Sequence, residues 1–276
     1  MRVVEKAAEL ERLRLELPAP VGLVSTMGCL HEGHLSLVRQ ARDDNNSLVI
    51  SIFVNPTQFG PGEDYASYPR DEARDLTLLE KEGVDIVFLP SATEIYPPGF
   101  DSYVEVAGLS RRLEGASRPG HFRGVATVVA RFFDLVRPGK AYFGQKDAQQ
   151  AIIISSIAAD LYPGVEVITL PTVREADGMA MSSRNSYLSP DERRAAAVLY
   201  RALSRARELW QEGEGSASNL RWEMTAVLRK EPLAVVDYVS VADPATLEEM
   251  ETASSPALVS LAVKIGATRL IDNILL

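Results

Sequence analysis

The chain has 276 residues and a single cysteine, Cys29, with no second thiol to pair with. That excludes a disulfide scaffold and suits a reducing compartment. No run approaches the roughly 18 apolar residues that a membrane-spanning helix needs. The opening Met1-Arg2-Val3-Val4-Glu5-Lys6 carries an acid and no apolar stretch, so no secretory signal is expected and a cytoplasmic location is. Basic residues are in the minority: 29 Lys and Arg against 38 Asp and Glu give a net charge of −9. That balance argues against nonspecific attraction to nucleic acid or to an anionic membrane and leaves small molecules as the expected partners. Three familiar signatures are also missing. Without Gly-x-x-x-x-Gly-Lys-Ser/Thr there is no P-loop, without Gly-x-Gly-x-x-Gly a dinucleotide site is weakened, and without Gly-x-Ser-x-Gly the usual hydrolase elbow is gone.

What is present is ordinary in bulk, with 46% apolar and 24% charged residues. The length suits one large domain or two modest ones. Short apolar runs alternate with helical patterns over the first two-thirds of the chain. The spacing predicts strands over 21–26, 48–54, 85–89, 141–143 and 165–170. Helices are expected over 5–15, 34–43, 71–82, 125–136 and 148–160. The strands are apolar nearly throughout, as strands covered on both faces are. This alternation predicts an α/β fold with a doubly wound parallel sheet, binding its ligand at the carboxyl ends of the strands. The pattern then changes. Ser189-Pro190-Asp191-Glu192 is a capping box opening a helix to about 212; a Gly/Ser linker, a helix over 219–230 and three strand-like runs follow. The expected division is a nucleotide-binding domain over 1–173 and a small α+β domain over 174–276.

Two of the three histidines lie in one run, Ser25-Thr26-Met27-Gly28-Cys29-Leu30-His31-Glu32-Gly33-His34. It follows an apolar strand and precedes the helical pattern of Leu35, Val38 and Ala41. A helix N-terminus offers free N–H groups and partial positive charge, so two imidazoles there suit a phosphate. A metal site is an alternative, although the spacing is not that of His-Glu-x-x-His and no third ligand is near. Histidines that merely cap a turn are another.

Further polar segments fall at strand ends. Asn55 and Gln58 follow the second strand, and their amides suit a small substrate with hydroxyl and carboxylate groups. Gly144-Gln145-Lys146-Asp147-Ala148-Gln149-Gln150 follows a later strand. Lys146 there is either a point charge for phosphate or a solvated lysine, and Asp147 either accepts from ribose or caps a helix. Met181-Ser182-Ser183-Arg184-Asn185 is either an ordinary turn or a mobile phosphate clamp at the domain boundary.

The histidine run resembles the His-x-Gly-His signature of the nucleotidyl-transferring superfamily with a Rossmann-like fold, and 181–185 resembles its Lys-Met-Ser-Lys-Ser loop. Taken with Phe53-Val54-Asn55-Pro56, Tyr68-Pro69-Arg70, His121-Phe122-Arg123-Gly124, Ala176-Asp177-Gly178 and Thr268-Arg269-Leu270-Ile271-Asp272-Asn273, these segments resemble the pantoate–β-alanine ligase family in order and over nearly the whole chain. Two departures stand out: Ser25 where that family usually has Pro, and Gln145 where it commonly has Glu.

The resemblance implies an AMP-forming ligase of pantothenate biosynthesis that uses ATP, pantoate and β-alanine through a pantoyl adenylate. It implies magnesium, a homodimer and a second domain acting as a lid. His31, His34, Lys146 and Arg184 would carry the chemistry as phosphate-facing donors, with Met27, Ser182 and Ser183 beside them. Gly144 and Asp147 would bind ribose, and Val173 and Met181 would flank adenine. Gln58 and Gln150, with Asn55, would hold pantoate. Asp75 is the candidate magnesium carboxylate, against its reading as a solvated acid on the 71–82 helix. No residue is assigned as a nucleophile, and Cys29 is read as a turn or core residue. The rival classes are a tRNA synthetase, a transferase that keeps the nucleotide on its product, and a nonenzymatic nucleotide sensor.

Overall fold

A computed structural model describes residues 1–276. Six strands form one wholly parallel sheet: β1 (Arg2–Val4), β2 (Val21–Thr26), β3 (Ser47–Ile52), β4 (Ile86–Phe88), β5 (Lys140–Gly144) and β6 (Glu166–Leu170). Their order across the sheet is β1-β4-β3-β2-β5-β6. The order reverses between β2 and β5, the switch point at which such sheets open a crevice. The α/β doubly wound class read from the alternation is therefore the observed one.

Strand periodicity sorts the apolar residues onto two faces. Val21, Leu23, Val49, Ile86, Phe88 and Phe143 point to one face. They pack against Leu10 and Leu13, against Val125, Val129, Phe132 and Phe133 of helix His121–Val136, and against Ile154 of helix Ala148–Leu161. Val24, Leu48, Ile50, Val87 and Tyr142 point to the other, against Leu37, Val38 and Ala41 of helix Glu32–Asp44 and Leu79 of helix Glu72–Lys81. Burying a side chain of this size stabilises by about 1.5–3 kcal/mol, so each face holds its helices firmly.

A separate core begins at Met179. It lies between helices Val198–Gln211 and Ala217–Leu228 and an antiparallel sheet of β7 (Ala234–Ala242), β8 (Leu258–Ile265) and β9 (Thr268–Leu275).

Several boundaries differ from the sequence reading, each for a local reason. β1 was not expected; three residues carry too short a pattern, and it forms as an edge strand by pairing with β4. The helix after Ser189 is interrupted at Ala197, giving Pro190–Ala196 and Val198–Gln211. The following helix starts at Ala217 because Ser216, placed in the linker, caps it by accepting the Asn219 N–H. The helix of the histidine run starts at Glu32 rather than His34.

Candidate functional site

The turn after β2 is built by backbone strain and one buried carboxylate. Gly28 and Cys29 both have positive φ, +82° and +50°. For Cys29 this is a costly conformation that surrounding contacts must hold. Asp75 holds it: Oδ2 accepts the Cys29 N–H at 2.7 Å and Oδ1 accepts the Leu30 N–H at 2.8 Å. Asp75 is 1% exposed and does not line the cleft. It is thus neither a solvated acid nor placed as a metal ligand. Both oxygens anchor the turn.

The turn delivers the two imidazoles to the start of helix Glu32–Asp44. His31 is its N-cap: Nδ1 accepts the Gly33 N–H at 3.2 Å. His34 Nδ1 accepts the His31 N–H at 3.4 Å, and the ring centroids are 4.1 Å apart. In a neutral imidazole with Nδ1 accepting, the proton sits on Nε2. Each ring is left with an Nε2–H donor. Burial, then the nearby Lys146 charge, pushes His31 down to about 4. Burial, then His31, pushes His34 down to about 3. The free protein therefore presents neutral hydrogen-bond donors at pH 7. Capping a helix and facing a ligand are compatible here, because different ring nitrogens do the two jobs.

Positive charge comes from the other side of the switch point. β5 ends at Gly144, and Lys146 and Asp147 lie in the single turn that follows. The Lys146 ammonium is 3.3 Å from Asp147 Oδ1. Burial works against the Asp147 charge, but Lys146 outweighs it and holds the carboxyl below its ordinary range. Gln145 points elsewhere, donating to Asn273 Oδ1 at 2.9 Å. A carboxylate at that position is therefore not what tunes Lys146.

Arg184 closes the mouth. Its guanidinium makes a two-point pair with Asp64, at 2.8 and 2.9 Å, and lies 5.5 Å from the Tyr68 ring centroid. The Tyr187 hydroxyl donates to Asp64 at 3.3 Å. Ser182 Oγ accepts the Arg184 N–H at 3.3 Å, and Ser183 Oγ donates to the Cys29 carbonyl at 3.0 Å. The 183–187 turn is thus tied to both the histidine turn and the 60–67 loop.

Gln58 stands at the end of the short turn Pro56–Gln58 after β3. Its Nε2 meets Met27 Sδ at 3.1 Å, and Oε1 accepts from Asn55 at 3.2 Å. Asn55 is 1% exposed, and its amide is taken up by Gly124 O, Thr57 and Tyr96. Asn55 lines the same cleft and supports Gln58 from its side. Gln58 is also held from behind. Its carbonyl faces His121 Nδ1 at 2.7 Å, and Arg118 bridges His121 to Glu63.

One cleft of about 1160 Å³ brings together Met27, His31, His34, Gln58, Gly144, Lys146, Asp147, Gln150, Val173, Met181, Ser182, Ser183 and Arg184. Of the residues given a binding or catalytic role from the sequence, only Asp75 lies off it. Sequence reasoning missed Asp64 and Arg118, and gave His121 and Asn273 no role beyond their motifs. Nothing local marks those roles, since each residue acts through a partner far along the chain. No three His, Cys, Asp or Glu side chains converge as a metal cage.

These features describe a cleft for a polyanion beside a polar subsite. Comparison with known proteins decides which. The family model for pantoate-beta-alanine ligase matches residues 2–275. The chain belongs to the pantoate-beta-alanine ligase family. A pantothenate synthetase of Roseiflexus sp. (strain RS-1) is 57% identical over 276 residues, covering all of this chain and 99% of that one. One from Herpetosiphon aurantiacus is 58% identical over 277 residues, covering both chains fully. The crystal structure of pantothenate synthetase from Thermus thermophilus superposes with a TM-score of 0.95 at 50% identity, covering 99% of each chain. The Francisella tularensis ligase, solved with beta-gamma ATP and beta-alanine, gives 0.82 at 32% identity, covering all of this chain and 97% of that one. As a pantoate-beta-alanine ligase, the chain joins pantoate to β-alanine through an amide bond in an ATP-dependent reaction. No helix is long and apolar enough to cross a membrane.

Proposed function

We propose that ATP lies across the switch point, its phosphates between the histidine turn and Lys146, with pantoate against Gln58 and Gln150. The observation that carries this reading is that β2 and β5 deliver two Nε2–H donors and one ammonium to a single cleft. A pantoate carboxylate oxygen attacks the α-phosphorus and pyrophosphate leaves. The amine of β-alanine then attacks the pantoyl carbonyl carbon, loses a proton, and AMP leaves with the C–O bonding pair. The first step brings two anions together, so preorganised donors and cations dominate its barrier. Lys146 and Arg184 supply charge; His31, His34, Ser182 and Ser183 supply hydrogen bonds. A bound polyphosphate favours the charged imidazoles and draws their affinities for protons upward.

Gly144 suits a ribose contact, since a side chain there would meet only open space. Asp147 would accept from the ribose hydroxyls, while Val173 and Met181, with the backbone near Met27, complete the nucleotide pocket. No step requires an enzyme nucleophile. Burial, then Asp75, raises the Cys29 thiol above its ordinary range, so it is not an activated thiolate. Magnesium would enter with ATP and offset the phosphate charge, since this ion needs few protein ligands when phosphate is present.

The two separate cores support domains over 1–173 and 174–276, the second carrying the 181–185 loop as a lid. The Arg184–Asp64 pair is one of the contacts between that lid and the first domain. Keeping water from an acyl adenylate is the use of such closure. The same reading makes the enzyme a cytoplasmic homodimer, consistent with its unpaired cysteine and tested by light scattering.

AMP release from Mg-ATP, with pantoate and β-alanine each added or omitted, tests the scheme. Turnover should need both, and pantoate alone should release about one pyrophosphate per site. Steady AMP formation without β-alanine, or no pyrophosphate burst with pantoate, overturns it.

A further inference from the structure

The last strand of the second sheet reaches back to the turn that carries Lys146. Asn273 on β9 is 4% exposed. Its Nδ2 donates to the carbonyl oxygens of Gln145 and Lys146, each at 2.9 Å, and its Oδ1 accepts from Gln145 Nε2 at 2.9 Å. Two consecutive carbonyls drawn to one amide fix the peptide planes of the turn. They thereby fix the direction in which the Lys146 side chain leaves the backbone.

Asn273 is itself held. Its N–H donates to Asp272 Oδ1 at 2.8 Å, and its carbonyl accepts from Arg174 at 3.2 Å. Arg174 grips the buried Asp272 carboxylate at two points, 2.6 and 2.9 Å, and stacks 4.3 Å from the Tyr200 ring centroid. A buried ion pair adds little net stability, but it strongly restricts geometry. Arg174 leads into the 181–185 loop, so this chain of contacts joins lid, β9 and the lysine turn.

We propose that Asn273 is a positioning residue for the nucleotide phosphates. It aims Lys146 into the cleft, so the phosphate site of the first domain is complete only when β9 is docked against it. The inference rests on the reading of Lys146 as a phosphate cation. It makes ATP affinity a property of both units, although no side chain of β9 is assigned to the nucleotide.

A double-mutant cycle tests it. Asn273→Ala removes both donors and should raise the KM for ATP about tenfold while moving the KM for pantoate less than about twofold. In a Lys146→Ala background the same change should cost less than about twofold, because the group it aims is already gone. Asn273→Asp keeps the shape, withdraws the N–H donors, and should reproduce the effect if the alanine variant folds poorly. An equal penalty in both backgrounds, or an equal rise in both KM values, overturns the inference and leaves Asn273 a packing residue. If Lys146→Ala itself leaves the KM for ATP unchanged, the phosphate reading of Lys146 fails first, and the inference with it.

Discussion

Gly124 is the fourth residue of helix His121–Val136, where alanine would ordinarily be the better choice. Replacing glycine by alanine in a helix interior stabilises by about 1 kcal/mol. Here a Cβ would lie 2.4 Å from the Thr57 carbonyl oxygen, 2.6 Å from its carbon and 2.7 Å from the Gln58 nitrogen. Contacts under 3.0 Å do not persist, so the backbones must part by at least 3.0 − 2.4 = 0.6 Å. All three atoms are main chain, with no flexible end to swing aside. Overpacking of this kind costs about 1–3 kcal/mol, and three main-chain contacts at once put the cost towards the upper end, where it outweighs the propensity gain. A net loss of up to about 2 kcal/mol corresponds to a fall in Tm of up to roughly 8 °C in a chain of this size. The larger consequence is local. The displaced turn carries Gln58, and the Gly124 carbonyl is the acceptor for Asn55. Misplacing a substrate-holding group by about 1 Å costs up to about a hundredfold, so Gly124→Ala should raise the KM for pantoate at least about tenfold while sparing ATP binding. Steady-state kinetics with each substrate varied, alongside thermal melts, read both effects. A variant with unchanged pantoate KM and equal or higher Tm would refute the argument that helix and turn are in rigid contact.

Other outcomes follow from the same geometry. His34→Ala should lower pantoate-dependent pyrophosphate release by about 10²-fold with the fold retained; normal release would remove His34 from the adenylation step. Gln58→Ala should weaken pantoate use and leave ATP KM nearly unchanged, and equal loss for both substrates would count against the subsite. All three histidines have depressed affinities in the folded state, about 4 for His31 and His121 and about 3 for His34. The unfolded chain therefore binds more protons below about 6.5, and stability falls as pH drops from there towards 4. Between pH 6.5 and 5, above the main carboxylate titrations, Tm should decline, and His121→Gln should flatten the decline; a flat wild-type profile would show that the rings are not desolvated as described. Dialysed protein should hold no stoichiometric magnesium until ATP is added, and metal analysis of the nucleotide-free enzyme checks this; tight binding without nucleotide would reveal a protein cage.

The sequence by itself carried the class of the fold and the places where chemistry happens. Apolar runs between helical patterns marked β2 to β6 closely, and polar residues at their carboxyl ends marked the cleft, because both signals are local and repeat with the period of the backbone. The three-residue spacing of His31 and His34 likewise survived into one helical turn. Partners and protonation states were decided by tertiary structure. Asp75 reads as a surface helix acid, yet it is buried because it meets Cys29 and Leu30 from 46 and 45 residues away. Asn55 reads as a ligand amide, and its bonds to Gly124 and Tyr96 appear only in the folded chain. The histidines read as phosphate-facing donors, and burial sets the neutral form in which they donate. Asp64 meets Arg184 across 120 residues, and Asn273 meets Gln145 across 128. Hydrogen-bond choice and desolvation depend on which surfaces are pressed together, and that is settled only when the sheet, its helices and the second core have packed.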